Sequence, residues 1–341
     1  MLVPFDLMKQ TIKSAFINSG MSPERAEICA QIHTETSCDG VYSHGLNRVP
    51  RFCDYLKKGW VNPEAFPTFV SGSGSLEIYD GNLGPGITNG IFAIDRAMQL
   101  ADEHTVGVVA LKNTTHWMRG GTYGWGAANK GYLALLFTNT ESTMPPWGGK
   151  DIKLGNNPFI MAAPYKDQPV VLDMAMSLYS FGKLETTRLT GKELPFPGGF
   201  DSDGNLTSNP ALIEKSMRVL PIGYWKGSAM AIMLDLFSAM LSGGMSTAEI
   251  DKVKKGSCTG CCQTFIAIKP DVLISQERLE QIVEETISHI KTSEPSNKNT
   301  SINYPGESTL KRREENLKNG IPVDEGVWNT VCKLASPSKL D

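Results

Sequence analysis

The chain has 341 residues, of which 40% are hydrophobic and 20% are charged. This length suffices for one large domain or two ordinary ones, with a core that needs no disulfide or metal. The formal net charge of -3 argues against a surface for nucleic acid or for an anionic membrane. No apolar run approaches the roughly 20 residues of a membrane span, and the first residues lack a signal or transit pattern. We therefore expect a cytoplasmic protein whose partners are small molecules and copies of itself.

The first part of the chain predicts a helical unit. One helix follows Pro4, and a second has Ser22 as its N-cap and Pro23 at its first position. A third helix is expected through Val49 to Leu56, where the apolar residues recur at helical spacing.

Beyond about residue 67 the pattern changes to short β-rich runs bounded by Gly and Asn. The predicted strands are Thr68 to Val70, Leu76 to Tyr79, Val106 to Leu111, Tyr132 to Thr138, Phe159 to Ala163, Pro169 to Asp173 and Thr264 to Ile268. Helices are predicted at Ile87 to His104, Gly121 to Lys130, Ala229 to Leu241 and Ser275 to Thr292, before a charged last helix that contains Lys311 to Asn316. This mixture predicts an α/β (mixed α+β) fold.

Seven cysteines at irregular spacing indicate reduced thiols rather than a disulfide framework. Cys258, Cys261 and Cys262 form a CxxCC cluster that has two interpretations. A tetrahedral zinc site needs four ligands, and no second Cys/His pair lies close in the sequence. Thiols in a turn before a strand need no further ligand, so we expect no metal.

The motifs of the commonest nucleotide-binding and hydrolytic folds are absent. A Rossmann unit requires GxGxxG directly between a strand and a helix, and neither Gly72-Ser73-Gly74 nor Gly84-Pro85-Gly86 continues in that way. HExxH and GxSxG do not occur either. A nicotinamide cofactor would therefore have to bind on another fold.

The segment Tyr42 to Arg48 is the first candidate site. If residues 43 to 49 are helical, His44 and Arg48 lie four residues apart on one face. A guanidinium can bind the carboxylate of a 2-oxo acid through two parallel hydrogen bonds, while an imidazolium protonates the adjacent carbonyl oxygen as hydride arrives. By spacing alone the alternative is favoured, in which His44 is a cap or core histidine and Arg48 a surface charge.

Three further segments carry polar side chains at the ends of predicted elements. His116 follows a strand and either meets His44 across a cleft or bonds to a backbone carbonyl beside a packed Trp117. Asp173 ends a buried strand, where a carboxylate can orient a histidine or a cofactor hydroxyl, or cap a helix. Lys226 precedes the helix at Ala229, whose backbone amides could form a phosphate cradle, although a packed aromatic corner is the alternative.

Taken in order, the segments of this chain resemble the type 2 malate/L-lactate dehydrogenase family from about residue 5 to about residue 331. The segments are YSHGLNR, HWMRGGTYGW, MPPWGGK, LGNNP, VLDMAMS, LPFPGGFDSDGNLT and GYWKGSAM. The resemblance implies a non-Rossmann NAD(P)-binding fold and a homodimer with its sites in the cleft between domains. It also implies a helical substrate and dimerisation domain from residues 1–75 with 305–341, and a mixed-sheet cofactor-binding domain from residues 76–304.

The resemblance further implies an NAD(P)H-dependent reductase of a small 2-oxo acid, with NADH as the expected donor and NADPH left open. His44 is then the proton donor and Arg48 its partner, with Ser43 and His116 holding the substrate and Asp173 completing the catalytic set. The implied cofactor contacts are Pro169, Val170, Val171, Leu172, Asp173, Met174, Ala175, Trp225, Lys226, Pro305, Gly306 and Glu307.

Two features depart from the family pattern. Asn156 stands where relatives commonly carry Thr, and Glu307 is an unusual neighbour for a pyrophosphate. Malate, lactate or ureidoglycolate dehydrogenation and cyclic imino-acid reduction stay open as alternative activities, since one carboxylate clamp serves them all. The rival class is a non-catalytic small-molecule binding protein.

Overall fold

The computed structural model describes residues 1–297 and 300–336. Its helices are α1 (Phe5–Ile17), α2 (Pro23–Cys38), α3 (Val49–Lys57), α4 (Gly86–His104), α5 (Gly121–Asn129), α6 (Phe181–Leu189), α7 (Pro210–Ser216), α8 (Trp225–Ser242), α9 (Thr247–Val253), α10 (Gln276–Lys291), α11 (Glu307–Asn319) and α12 (Glu325–Ala335). Its strands are β1 (Leu2–Val3), β2 (Thr68–Ser73), β3 (Leu76–Asp80), β4 (Val106–Thr114), β5 (Leu133–Thr138), β6 (Ser142–Met144), β7 (Leu154–Gly155), β8 (Phe159–Ala163), β9 (Val170–Met174), β10 (Gly199–Phe200), β11 (Leu206–Thr207), β12 (Cys261–Ile268) and β13 (Ile321–Pro322).

A seven-stranded mixed sheet in the order β2-β3-β4-β12-β5-β8-β9 forms the centre of the larger part. Only the β3–β4 pair is parallel among its neighbours. Side chains alternate along β12: Phe265 and Ala267 pack with α4 and α5, while Ile266 packs on the side of α8. This period of two explains the nearly continuous apolar sequence of a central strand, because both of its faces are covered. The predicted α/β class is thus confirmed, and each predicted strand belongs to this sheet.

The helical part is built from both ends of the chain. Its core contains Met8 and Phe16 of α1, Phe52 of α3 and Trp328 of α12, all buried. The chain ends also pair directly, because β1 and β13 are antiparallel neighbours. Both ends of the chain therefore contribute to one helical part. The domain boundary expected after residue 75 stays a prediction, and it would separate β2 from β3, which pair in one hairpin.

Several short helices were not predicted, because their positions depend on tertiary contacts and caps more than on apolar spacing. These are α6, α7, α9 and α12. Local signals existed for some of them: the side chain of Asn209 caps α7 and that of Asp324 caps α12. In addition, α8 begins at Trp225, four residues before the predicted start at Ala229.

The CxxCC cluster lies at the start of β12. Cys261 and Cys262 are the first two residues of that strand. All three thiols of the cluster are buried and free. Burial raises the pKa of the Cys262 thiol to about 11. Across residues 1–297 and 300–336, no group of three or more His, Cys, Asp or Glu side chains is arranged to hold a metal.

Hydropathy gives little indication of a membrane segment in the described ranges. No helix there has both the length and the apolar composition to span a bilayer by itself, while α8 and α9, which meet at 78°, satisfy both criteria only as a pair.

A buried ion network joins the helical part to the sheet. Asp39, which follows α2, is 4% exposed and pairs with Arg119 from the loop before α5. Its other oxygen, Oδ1, accepts a hydrogen bond of 2.5 Å from Nε of Arg313 in α11. One buried carboxylate therefore pairs with two guanidinium groups from distant parts of the chain.

Replacing Asp39 with Asn should lower the free energy of unfolding by about 3–5 kcal/mol, because Arg119 would stay buried with only the more distant carboxylate of Asp173 as a counter-charge. The matched control is Glu27→Gln, which removes exposed ion pairs to Lys9 and Lys13 and should change stability little. Urea unfolding followed by circular dichroism measures both variants. Equal losses for the two variants would contradict this account of the network.

Candidate active site

Gly45 interrupts the helical conformation between the two principal candidate residues, His44 and Arg48. We call this interruption the break at Gly45. Tyr42–His44 and Leu46–Arg48 form two short 3-10 turns, and Gly45 between them has φ -98° and ψ -123°. A Cβ on Gly45 would lie 2.1 Å from Oγ of Ser37 in α2, so only glycine fits there. The prediction that residues 43 to 49 form one helix with His44 and Arg48 on one face is therefore wrong in its geometry.

His44 and Arg48 nevertheless converge, because both approach His116. The imidazole rings of His44 and His116 have centroids 5.6 Å apart, and Nη2 of Arg48 lies 3.2 Å from Nε2 of His116. His116 lies two residues after the end of β4, the neighbour of the central strand β12. Of the two interpretations of His116, the described contacts favour the one in which it meets His44.

The backbone fixes the tautomer of His116. The N–H of Met118 donates to Nδ1 of His116 over 2.9 Å, so in the neutral ring the proton resides on Nε2. Nε2–H and the guanidinium N–H of Arg48 are then two donors that face each other. A shared acceptor would satisfy both, and Nε of Arg48 is a further buried donor without a hydrogen-bond partner. This arrangement suits a carboxylate or another anion.

Ser43 orients the ring of His44. Its Oγ lies 2.9 Å from Nδ1 of His44, which leaves Nε2 as the ring nitrogen available to a ligand. Burial, followed by the positive charges of Arg48 and Arg119, lowers the pKa of His44 to about 3. His44 is therefore neutral at physiological pH unless a negative charge binds beside it.

Asp173 occupies a structural position rather than a place beside the histidines. Its Oδ2 accepts a hydrogen bond of 2.9 Å from the N–H of Gly121, the first residue of α5, and lies 3.6 Å from Nε of Arg119. Of the alternatives from the sequence, the described contacts favour the helix cap, although the helix is α5 and not the one that follows in sequence. Asp173 also reaches the ion network of Asp39 through Arg119.

Two of the three expected cofactor segments are in direct contact. The N–H of Val171 in β9 donates to the carbonyl of Pro305 over 3.0 Å. Gly306 has φ +97°, and a Cβ there would come within 3.1 Å of the Trp125 ring and 3.3 Å of the Val171 nitrogen. The Gly306 backbone thus crosses β9 closely, and a side chain there would be crowded as well as strained by the positive φ.

Glu307 does not bring net negative charge to this loop. Its Oε1 accepts hydrogen bonds from Lys291 (2.8 Å) and Lys311 (2.9 Å). Burial alone would raise the pKa of Glu307, but the two lysines outweigh it and lower the pKa to about 2. Because the two lysines balance its charge, Glu307 is compatible with a pyrophosphate bound beside this loop.

The third segment lies beside the end of β9, where the N–H of Ile222 donates to the carbonyl of Met176. Trp225 is 60% exposed, and the Lys226 ammonium lies 6.0 Å from the centre of its ring. The amides of residues 226–228 already donate to carbonyls of residues 222–224. The predicted amide cradle is therefore wrong, because α8 begins earlier, and the exposed ring and ammonium are the groups that fit a dinucleotide.

The asparagines of LGNNP serve the fold. Asn157 is fully buried, and its side chain bonds to the N–H of Thr140 and to the carbonyl of Ala231 in α8. Asn156 accepts from the hydroxyl of Thr140 over 3.1 Å. The described contacts of both asparagine side chains are therefore with the fold itself.

Sequence reasoning missed several residues beside Arg48. Arg51, Tyr55 and Ser257 line a small cavity with Arg48 and His116. The hydroxyl of Tyr55 accepts from the N–H of Ser257, whose own hydroxyl donates to Glu141 over 2.5 Å. Ser257 is far from the others in the chain, and the only local signal was that Arg51 and Tyr55 follow Arg48 at helical spacing.

Comparison with known proteins places this geometry in a family. Residues 3–332 match the family model described as malate/L-lactate dehydrogenase. A 2,3-diketo-L-gulonate reductase from Citrobacter koseri is 42% identical over 335 residues, which cover 98% of this chain and all of the relative.

Two solved structures share the fold over 98% of the chain. Sulfolactate dehydrogenase from Methanocaldococcus jannaschii has a TM-score of 0.88 and 30% identity, with 96% of that chain covered. Malate dehydrogenase from Pyrococcus horikoshii OT3 has a TM-score of 0.89 and 28% identity, also with 96% covered. The chain belongs to the malate/L-lactate dehydrogenase family and is an oxidoreductase that uses a nicotinamide cofactor.

Proposed function

We propose that the chain is an NADH-dependent reductase that converts 2,3-diketo-L-gulonate to 3-keto-L-gulonate, with His44 as the proton donor. The name of the Citrobacter koseri relative supports this substrate. The observation that carries the chemistry is the pair of opposed donors, Nη2 of Arg48 and Nε2 of His116, 3.2 Å apart and next to the His44 ring. Such a pair needs an anionic acceptor, and a 2-oxo acid supplies one adjacent to its reactive carbonyl.

In the proposed complex, Arg48 and His116 bind the carboxylate and His44 directs Nε2 at the C2 oxygen. When bound, the nicotinamide supplies the hydride to C2. Ser43 accepts from Nδ1–H of His44, so the ring can release the proton from Nε2 and still keep its orientation. Asp173 acts as a positioning residue through Gly121 and Arg119.

In this proposal, the carboxylate of the bound substrate raises the pKa of His44 and so allows the ring to be protonated. In the free protein, burial and the charges of Arg48 and Arg119 keep the pKa of this ring at about 3. A bound carboxylate offsets the charge of Arg48, and this raises the pKa of His44. His44 is then protonated, and able to act as the general acid, only when a carboxylate is bound.

For the cofactor we propose contacts from Pro169 to Ala175, from Trp225 and Lys226, and from Pro305 to Glu307. The close approach of Gly306 to β9 and the exposed Trp225 and Lys226 support these contacts. NADH is the proposed donor, and NADPH is the alternative.

Malate, lactate or ureidoglycolate dehydrogenation and cyclic imino-acid reduction are the alternative activities, since each substrate carries the same carboxylate. The similarity to the sulfolactate and malate dehydrogenase structures supports these alternative activities. A non-catalytic binding protein would bind NADH without oxidising it in the presence of any of these acids.

We also propose a cytoplasmic homodimer. Met233, Phe237 and Met240 lie on one face of α8 and are 47%, 52% and 78% exposed. An exposed apolar helix face of this kind is typical of a protein interface. The reduced thiols and the role in sugar-acid catabolism implied by the substrate fit the cytoplasm.

The substitution His44→Gln tests the activity. It should reduce kcat with 2,3-diketo-L-gulonate by about a hundredfold to ten-thousandfold, because the general acid is lost, while NADH binding measured by fluorescence stays unchanged. Steady-state assays with malate, lactate, ureidoglycolate and a cyclic imino acid, each with both cofactors, fix the substrate. Near-normal turnover of the variant would refute the role of His44.

The pH dependence tests how His44 is charged. Only the imidazolium donates a proton, and its fraction in the free enzyme falls with rising pH above the pKa of about 3. Reductive kcat/KM should therefore decline as pH rises from about 5 to 8. The decline in kcat should begin at higher pH, because kcat reports the complex in which the carboxylate raises this pKa. Identical profiles for the two parameters would contradict the proposed coupling.

The substitution Phe237→Asp tests the homodimer. A charge on the exposed face of α8 should convert a particle of twice the chain mass into a monomer in sedimentation equilibrium. Leu317→Asp is the control, because Leu317 in α11 is 57% exposed and lies outside that face. A monomeric wild type, or an unchanged mass for Phe237→Asp, would argue against this interface.

A further inference from the structure

We propose that His33 and Ser37 of α2 are positioning residues for catalysis, because they hold the backbone break at Gly45 that aims His44 and Arg48. The inference rests on the proposed function of His44 and Arg48. Neither α2 residue is among those expected to touch substrate or cofactor. Both are fully buried polar side chains.

Two hydrogen bonds connect α2 to the break. Nδ1 of His33 lies 3.0 Å from the carbonyl oxygen of Gly45. Oγ of Ser37 accepts from the N–H of Leu46 over 2.8 Å and donates to the carbonyl of His33 over 3.0 Å. The C=O and the N–H of one peptide group, the one that joins Gly45 to Leu46, are thus bonded to side chains from one face of one helix.

The direction of the His33 bond is fixed by chemistry. A carbonyl oxygen can only accept, so Nδ1 carries the proton and donates. Burial lowers the pKa of His33 to about 4, so the ring is neutral at physiological pH. Its other nitrogen, Nε2, is buried without a hydrogen-bond partner, and the ring packs between Phe16 and Phe52. The donor therefore has one fixed position.

The Gly45 carbonyl is also bonded to the catalytic side of the break. It accepts from the backbone N–H of Arg48 over 3.0 Å, so one oxygen takes donors from both His33 and Arg48. His44 precedes this peptide group and Arg48 follows it. The orientation of one carbonyl therefore sets the relation between the proton donor and the carboxylate-binding guanidinium.

The packing leaves no alternative position for this segment. A Cβ on Gly45 would also lie 2.8 Å from the Ser37 nitrogen and 2.9 Å from the His33 carbonyl oxygen. The break is in van der Waals contact with the α2 backbone, and the two side-chain bonds select its rotation. Misplacement by about 1 Å can cost about a hundredfold in rate, so loss of either bond should reduce kcat.

The experiment compares four substitutions by steady-state kinetics. Ser37→Ala and His33→Leu each remove one bond and should lower kcat by about 10-fold to 100-fold, with the KM for NADH unchanged. His33→Asn restores an N–H donor close to the position of Nδ1 and should recover most of that loss. Thr34→Val is the matched control, since the buried hydroxyl of Thr34 bonds only to Ala30 within α2. It should lose stability but keep wild-type kcat.

A second readout does not depend on turnover. The protein has five histidines, so the His44 ring signals can be assigned in spectra of 15N-histidine-labelled protein by comparison with His44→Gln. Ser37→Ala and His33→Leu should shift the His44 signals, and Thr34→Val should leave them in place.

The outcomes separate the two proposals. Absence of wild-type turnover with every acid overturns the proposed function, while the ring signals still test the positioning of His44. If Ser37→Ala and His33→Leu behave like Thr34→Val in kcat and in the spectra, the positioning role is wrong. A loss of kcat that His33→Asn does not recover, with unshifted His44 signals, also overturns it.

Discussion

Two hydrogen-bond donors held face to face define the chemistry of this protein. The N–H of Met118 commits His116 to a proton on Nε2, and Nη2 of Arg48 lies 3.2 Å from that atom. Opposed donors in a partly buried site are unfavourable unless one acceptor bonds to both of them. The fold tolerates this local cost because its rigid neighbours, β4 and the break at Gly45, hold both groups in place. A site of this kind suits an anion, and in the proposed function the adjacent His44 stays neutral until one binds.

Charge in this protein is balanced in clusters that join distant segments. Asp39 lies between Arg119 and Arg313 and connects the helical part, the sheet and α11. Glu307 lies between Lys291 and Lys311 at the start of the same helix. Because α11 takes part in both clusters, the loop from Pro305 to Glu307 is fixed against β9 and against the helical part together. The expected cofactor contacts thus depend on the same helix that stabilises the junction.

The side chains of the proposed site are supported by hydrogen bonds from neighbouring residues. Ser43 holds Nδ1 of His44, Asp173 caps α5 behind Arg119, and His33 with Ser37 holds the Gly45 peptide. Each support is a hydrogen bond to a backbone group or to a ring nitrogen, and such bonds fix orientation within a narrow range. The reactive groups can therefore sit in short irregular turns and still be placed accurately.

The sequence by itself determined the strands of the sheet, the long helices and the family, because alternation, helical spacing and ordered motifs are local properties. It also indicated His44, Arg48 and His116 as residue types suited to a 2-oxo acid. Only the tertiary structure decided that His44 and Arg48 flank a break instead of sharing a helix, since Ser37 excludes any side chain on Gly45. It likewise decided that Asp173 caps α5 and that Glu307 is neutralised by two lysines. These outcomes depend on contacts between residues far apart in the chain, which no local pattern encodes.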